Sequence, residues 1–150
     1  MTVTFIAHSA YLVEWGKFYT LFDYTYEEDY TGALPPLKPE KPLLVFASHS
    51  HEDHFDARVY GLLEQYPDTR YFVSRDTRLT ERKRKWLNIS DEAFARTTVL
   101  RPDSILLTEA AGEELSIRAI KSTDIGNAYL LRCEGKMVYH GGDLNWWNWE

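Results

Sequence analysis

The sequence predicts an α/β sandwich, with packed sheets and a small helical layer. Short runs rich in β-branched and aromatic residues crowd both ends of the chain. Helical spacing is confined to the middle, between residues 57 and 94. Strands come in groups and do not alternate one by one with helices, so a doubly wound sheet fits less well.

The elements follow in order. Thr2 to Ala7, Ala10 to Trp15 and Phe18 to Asp23 read as strands, with Gly16 and Lys17 turning between the last two. Tyr24 to Glu40 holds acidic residues, Gly32 and the pair Pro35-Pro36. It reads as a long loop, a feature that is often functional. Pro42 to Ala47 is apolar throughout and reads as a buried strand. Asp56 is placed to cap a helix from Ala57 to Tyr66, carried by Val59, Leu62 and Leu63 and weakened by Gly61. Arg70 to Ser74 is a further strand. Asp76 is expected to cap a helix from Thr77 to Trp86, and Ser90 to open a short helical turn toward Phe94. Strands then return over Thr97 to Leu100, Ser104 to Leu107, Glu114 to Ile120, Asn127 to Arg132 and Lys136 to His140. Leu115, Ile117 and Ala119 alternate with polar neighbours, and Glu134-Gly135 is a two-residue hairpin turn.

The chemistry concentrates where the apolar run ends. In Ser48-His49-Ser50-His51-Glu52-Asp53-His54, three of the chain's five histidines and an aspartate share six positions. Imidazole and carboxylate form a donor set suited to zinc and related divalent ions. His49 and His51, two apart in extended chain, can reach one ion together. Asp53 and His54 are adjacent, so the chain must bend before both face a second ion. Two ions roughly 3.5–4 Å apart would clamp an attacking and a leaving oxygen. The plainer readings are a polar surface loop or a structural metal site.

His49-x-His51-x-Asp53-His54 resembles the HxHxDH signature of the metallo-β-lactamase superfamily, whose hydrolases extend well beyond lactamases. Ile6-Ala7-His8-Ser9-Ala10 followed by Leu21-Phe22-Asp23 is similar to that family's opening hairpin. Tyr139-His140-Gly141-Gly142-Asp143 resembles its later segment with a metal-bridging aspartate. The resemblance spans nearly the whole chain. It, and not periodicity, implies the αββα arrangement of a metallo-β-lactamase-like sandwich. Relatives are longer, so residues 1–150 are expected to form a single such domain, cut short at the C-terminus.

The resemblance implies a metal-dependent hydrolase that directs a metal-bound hydroxide at an ester, lactone, amide or phosphodiester. His49 and His51 would hold one ion, Asp53 and His54 the other, and Asp143 would bridge. Asp53 would also orient the water or carry its proton. The cofactor would be one or two divalent ions, zinc first, with manganese or iron as alternatives. Two departures stand out. The family's third histidine for the first metal is missing, since no histidine lies between His54 and His140; Asp124 or water would fill its place. The family's last histidine would fall beyond Glu150. The alternative is a non-catalytic relative that binds metal or a partner. His8 is either near the metals or a hydrogen-bonded turn residue. Asp23 either supports a ligand histidine or ends its strand. His140 is expected to pack within its strand, and residues Ser122 to Asn127 and Asp143 to Trp149 to line the pocket.

The resemblance implies a small-molecule substrate, and composition argues against other partners. A net charge of −6 argues against nonspecific nucleic-acid binding. The basic run Glu81-Arg82-Lys83-Arg84-Lys85 reads first as a solvated helix face, with a grip on an anionic substrate or RNA as the alternative. The lone Cys133 excludes an internal disulfide and fits a small core residue in a reducing compartment. No basic-then-apolar leader and no membrane-length run is present, so a cytoplasmic protein is expected. The tryptophans Trp146, Trp147 and Trp149 would normally be covered, by further chain or in an oligomer.

Overall fold

The computed structural model describes residues 1–144; the tryptophan-rich end lies outside the described residues. Among the described residues, ten strands form two sheets. The first sheet has β1 (Thr2–Ala7), β2 (Ala10–Glu14), β3 (Tyr19–Phe22), β4 (Leu43–Ala47), β5 (Thr69–Ser74) and β6 (Thr97–Leu100), side by side in that order. The second has β7 (Ile105–Ala110), β8 (Glu113–Lys121), β9 (Asn127–Cys133) and β10 (Lys136–His140), also in sequence. Three short helices, α1 (Leu62–Gln65), α2 (Glu81–Trp86) and α3 (Asp91–Ala95), fall within the connections of the first sheet.

The sheets pack through an apolar interior. Leu44, Phe46 and Phe72 from the first sheet meet Leu115, Ile117, Tyr129 and Leu131 from the second. Phe46 stacks between Phe22 and Phe72, with ring centroids 5.0 and 4.9 Å away. The opposite face of β4 turns Leu43 and Val45 toward Val59, Leu62 and Ala93 of the helical layer. β4 is therefore buried on both faces, which explains its unbroken apolar run. β8 buries only Leu115, Ile117 and Ala119, as its alternation predicts. Among the described residues, no helix covers the outer face of the second sheet, so one of the two expected outer layers is in view.

Strand direction positions the site. β3, β4, β5 and β6 are parallel, so their carboxyl ends share one rim. Loops at that rim are where open α/β sheets place ligands.

Two helix expectations are corrected. Ala57 to Tyr66 is a 3-10 turn, Ala57–Gly61, that passes into α1 at Leu62, so the weak point at Gly61 becomes a boundary. Asp56 caps it through Arg58 N–H, and also accepts Tyr26 N–H at 2.8 Å, which pins the long loop. Asp76 does not cap a helix over residues 77–86. Its carboxylate accepts Ser50 N–H at 2.8 Å instead, and Arg78 breaks the run at φ +49°. Thr80 caps α2 through Lys83 N–H. In the basic run, Arg82 and Lys85 are exposed as a solvated face would be, whereas Arg84 is largely covered, pairing with Glu81 and Asp91 and lying over the Phe94 ring. The Glu134-Gly135 turn has positive φ at both residues, the left-handed pair that suits a tight hairpin.

Candidate metal centre

Five segments converge on the rim. The β1–β2 turn brings His8, the end of β3 brings Asp23, and the loop after β4 brings Ser48 to His54. The second sheet adds Asp124 from the β8–β9 turn and Asp143 after β10.

Asp23 organises the loop. Its Oδ1 accepts Ser48 N–H and its Oδ2 accepts the Ser48 hydroxyl, both at 2.7 Å. Oδ2 also meets His54 Nδ1 at 2.8 Å and His140 Nε2 at 2.7 Å. Burial opposes charge on Asp23, but His140 and His54 outweigh it and hold the carboxyl well below its ordinary range. With Nδ1 facing this carboxylate, His54 turns Nε2 to the site, the arrangement that fixes a ligand tautomer. The Ser48 hydroxyl lies 2.9 Å from His49 Nδ1, which likewise leaves His49 Nε2 facing inward.

The donors fall into two groups. His49, His51, Asp124 and Asp143 each offer one atom, all within 4.8 Å of one another; His8, Asp53 and His54 do the same. His49 Nε2 lies 2.9 Å from His51 Nδ1, so both rings point to one place. The bend at Asp53-His54 is made by a turn in which His54 N–H donates to the His51 carbonyl at 3.0 Å. Asp143 touches both groups, with Oδ2 3.7 Å from His49 Nε2 and Oδ1 3.1 Å from His54 Nε2.

The donor set fits divalent metal. Buried His54 Nε2 has no hydrogen-bond partner, although Asp143 and Asp53 oxygens stand 3.1 and 3.4 Å away. A cation between them would satisfy an otherwise costly arrangement. Burial and neighbouring His54 lower the pKa of His49, which favours the neutral, ligating ring. At Asp53, burial works against ionisation but His54 and His8 overcome it, so the carboxylate stays charged. At His54, burial is outweighed by Asp23, Asp143 and Asp53, and the pKa is raised.

The eight candidate ligands and supports named from sequence, His8, Asp23, His49, His51, Asp53, His54, Asp124 and Asp143, meet at this rim. His8 Nε2 is 3.0 Å from Asp53 Oδ2, and Asp124 joins the His49 group. The expectation for His140 is corrected: it reaches Asp23 and so backs the site. Sequence reasoning missed Ser48, Asp76 and Gly126. Ser48 and Asp76 brace the loop through contacts between distant segments, which leave no local pattern. Gly126 left a weak signal as a glycine in a polar turn. It has φ +74°, and a Cβ there would stand 2.3 Å from Ser48 O and 2.6 Å from His49 Cβ.

A groove of about 540 Å³ opens beside the centre. Met1, Val3, Tyr11, Met137 and Tyr139 give it an apolar wall, and His8 and His140 line it as well. It runs between the β1–β2 hairpin and β10; of the expected pocket wall, residues 122–127 do not line this groove, Asp124 joins the donor cluster, and residues 145–149 lie outside the described residues.

Comparison with known proteins agrees with this geometry. A family model described as the Beta-lactamase superfamily domain matches residues 2–146. The chain is 27% identical over 153 residues to a UPF0173 metal-dependent hydrolase of Opitutus terrae, covering 95% of this chain and 63% of that protein. In fold it is similar to Igni18, a metallo hydrolase from Ignicoccus hospitalis, with TM-score 0.55, 19% identity, and 94% and 60% of the two chains covered. It is also similar to a possible metal-dependent hydrolase from Veillonella parvula, with TM-score 0.53, 16% identity, and 96% and 63% covered. The chain spans less than two thirds of the length of each of these proteins. With the signature loop, the paired sheets and the family match in agreement, the chain belongs to the metallo-β-lactamase superfamily.

Proposed function

We propose that residues 1–150 form a single metallo-β-lactamase-like domain of a cytoplasmic metal-dependent hydrolase acting on a small molecule. The observation that carries this reading is the convergence of seven side-chain donors in two groups at one rim. His49, His51 and Asp124 would hold the first ion and Asp53 and His54 the second, with Asp143 near both groups. Zinc is the first candidate, with manganese or iron as alternatives. Bound ions supply Lewis acidity toward a carbonyl or phosphoryl oxygen and acidify a coordinated water.

The chain's own groups position and protonate. Asp53, kept ionised beside His54 and His8, orients the attacking water and takes its proton. Asp23 and Ser48 hold the His54 and His49 rings in place. The apolar wall beside the centre supports a substrate whose ester, lactone, amide or phosphodiester bond adjoins an apolar portion. Among the described residues, no helix is long and apolar enough to cross a membrane.

The test is metal analysis of the purified protein with hydrolysis of a lactone and a bis-phosphoryl substrate. Bound metal and turnover, both reduced by His51→Ala, support the hydrolase. Bound metal with no turnover on either supports the non-catalytic binding relative.

A further inference from the structure

We infer that His8 is itself a metal ligand, the nitrogen donor that completes the pocket of Asp53 and His54; this rests on the metal-binding reading above. That pocket otherwise holds one imidazole and one carboxylate of its own, with Asp143 at its edge. His8 Nε2 lies 3.0 Å from Asp53 Oδ2, and the His8 and His54 ring centroids are 6.0 Å apart. The three donors lie within 4.8 Å of one another. Buried His54 Nε2, which has no hydrogen-bond partner, faces the same space. Two imidazoles with the Asp53 and Asp143 carboxylates make a four-donor shell of the type divalent metals take.

The backbone is a second, independent observation. His8 sits at φ +48° in the β1–β2 turn, where β1 and β2 slip register between Phe5 and Ala7. The left-handed conformation is strained for a residue with a Cβ, whereas glycine adopts it freely. A turn needing only the bend would be better served by glycine. The strained backbone instead carries a ring against Tyr30, at a centroid distance of 4.8 Å, and aims it at Asp53. Such strain recurs where a side chain must be held for function.

The competing account is a half-exposed His8–Asp53 pair that merely fastens the turn. His8→Gly separates the two, because glycine relieves the backbone while deleting the ring. Zn²⁺ binding is measured on the full chain by competition with a chromophoric chelator, beside elemental analysis and apo-protein melting. The expected result is two equivalents for the unaltered chain and one for His8→Gly. The second affinity falls at least about tenfold, and the apo melting temperature holds or rises. His8→Asn, which also tolerates the left-handed backbone, is expected to lose the same equivalent. Two equivalents retained in both variants, with affinities within about twofold, overturn the inference while leaving the metal centre intact. An unaltered chain that takes up no metal overturns the metal reading itself.

Discussion

Asp23 Oδ2 stands 2.8 Å from Nδ1 of His54, although thirty-one residues separate them in sequence. The contact joins the end of β3 to the loop after β4, two parallel neighbours. Asp23→Asn removes the charge that fixes the ring. Metal affinity should fall about 10- to 100-fold, in line with loss of a partner that orients a ligand. Breaking this buried pair should also cost roughly 3 kcal/mol of apo stability. Zinc titration and urea unfolding of the variant check both; unchanged zinc affinity would refute the orienting role.

Asp124 gives the His49 group an oxygen where the family resemblance leads one to expect a histidine. Softer nitrogen donors favour zinc over manganese. Asp124→His should therefore raise the ratio of Zn²⁺ to Mn²⁺ affinity at least about tenfold. Competition titrations of the two ions give that ratio, and no change would place Asp124 outside the shell.

Gly126 lies against the signature loop. A Cβ would meet the Ser48 carbonyl and His49, and φ +74° already disfavours a side chain. Gly126→Ala should cost about 3 kcal/mol and weaken metal binding through displacement of His49. Gly112, also at positive φ but with open space around it, is the control. Gly112→Ala should cost roughly 1 kcal/mol and leave metal uptake alone. Equal effects at the two positions would contradict the close approach at Gly126.

Three carboxyl groups predict an acid limb. Asp23, Asp53 and Asp56 are all held below the ordinary value of 3.8. Burial opposes each. Histidines overcome it at Asp23 and Asp53, and Arg58 with the Tyr26 and Arg58 backbone N–H groups overcomes it at Asp56. In this range the unfolded chain binds more protons than the folded one, so stability rises with pH. The contribution is whole above 3.8 and is lost as pH falls toward the lower folded values. The melting temperature of metal-free protein should drop below about pH 4, less steeply in Asp56→Asn. An equally steep limb in the variant would exclude Asp56 as a contributor.

Cys133 is buried within the inter-sheet core. Burial first, then Glu134 and Glu113, pushes its thiol pKa up. Its reaction with a disulfide reagent should be slow in the native protein and complete on unfolding. Rapid native labelling would contradict the packing of β9.

Strand reading from sequence succeeded because burial leaves a periodic trace. The alternation in β8 and the apolar run of β4 both map onto how many of their faces are covered. Helices were less legible, because Asp76 looks like any capping residue until Ser50 N–H is seen to claim it. The centre was legible where its donors cluster in one loop. The pairing of His49 with Asp124, and of His54 with Asp23 and His140, depends on long-range contacts that no window of sequence contains.

Ser48 O accepts the backbone N–H of Asn127 at 2.9 Å, so the loop after β4 is tied to the start of β9. During synthesis, His49 and His51 emerge long before Asp124 and Asp143. A nascent chain ending near residue 120 would carry the first pair of rings without their acidic counterparts. On the proposed metal reading, full loading with cations would wait until the second sheet has docked, so ion uptake would follow correct assembly.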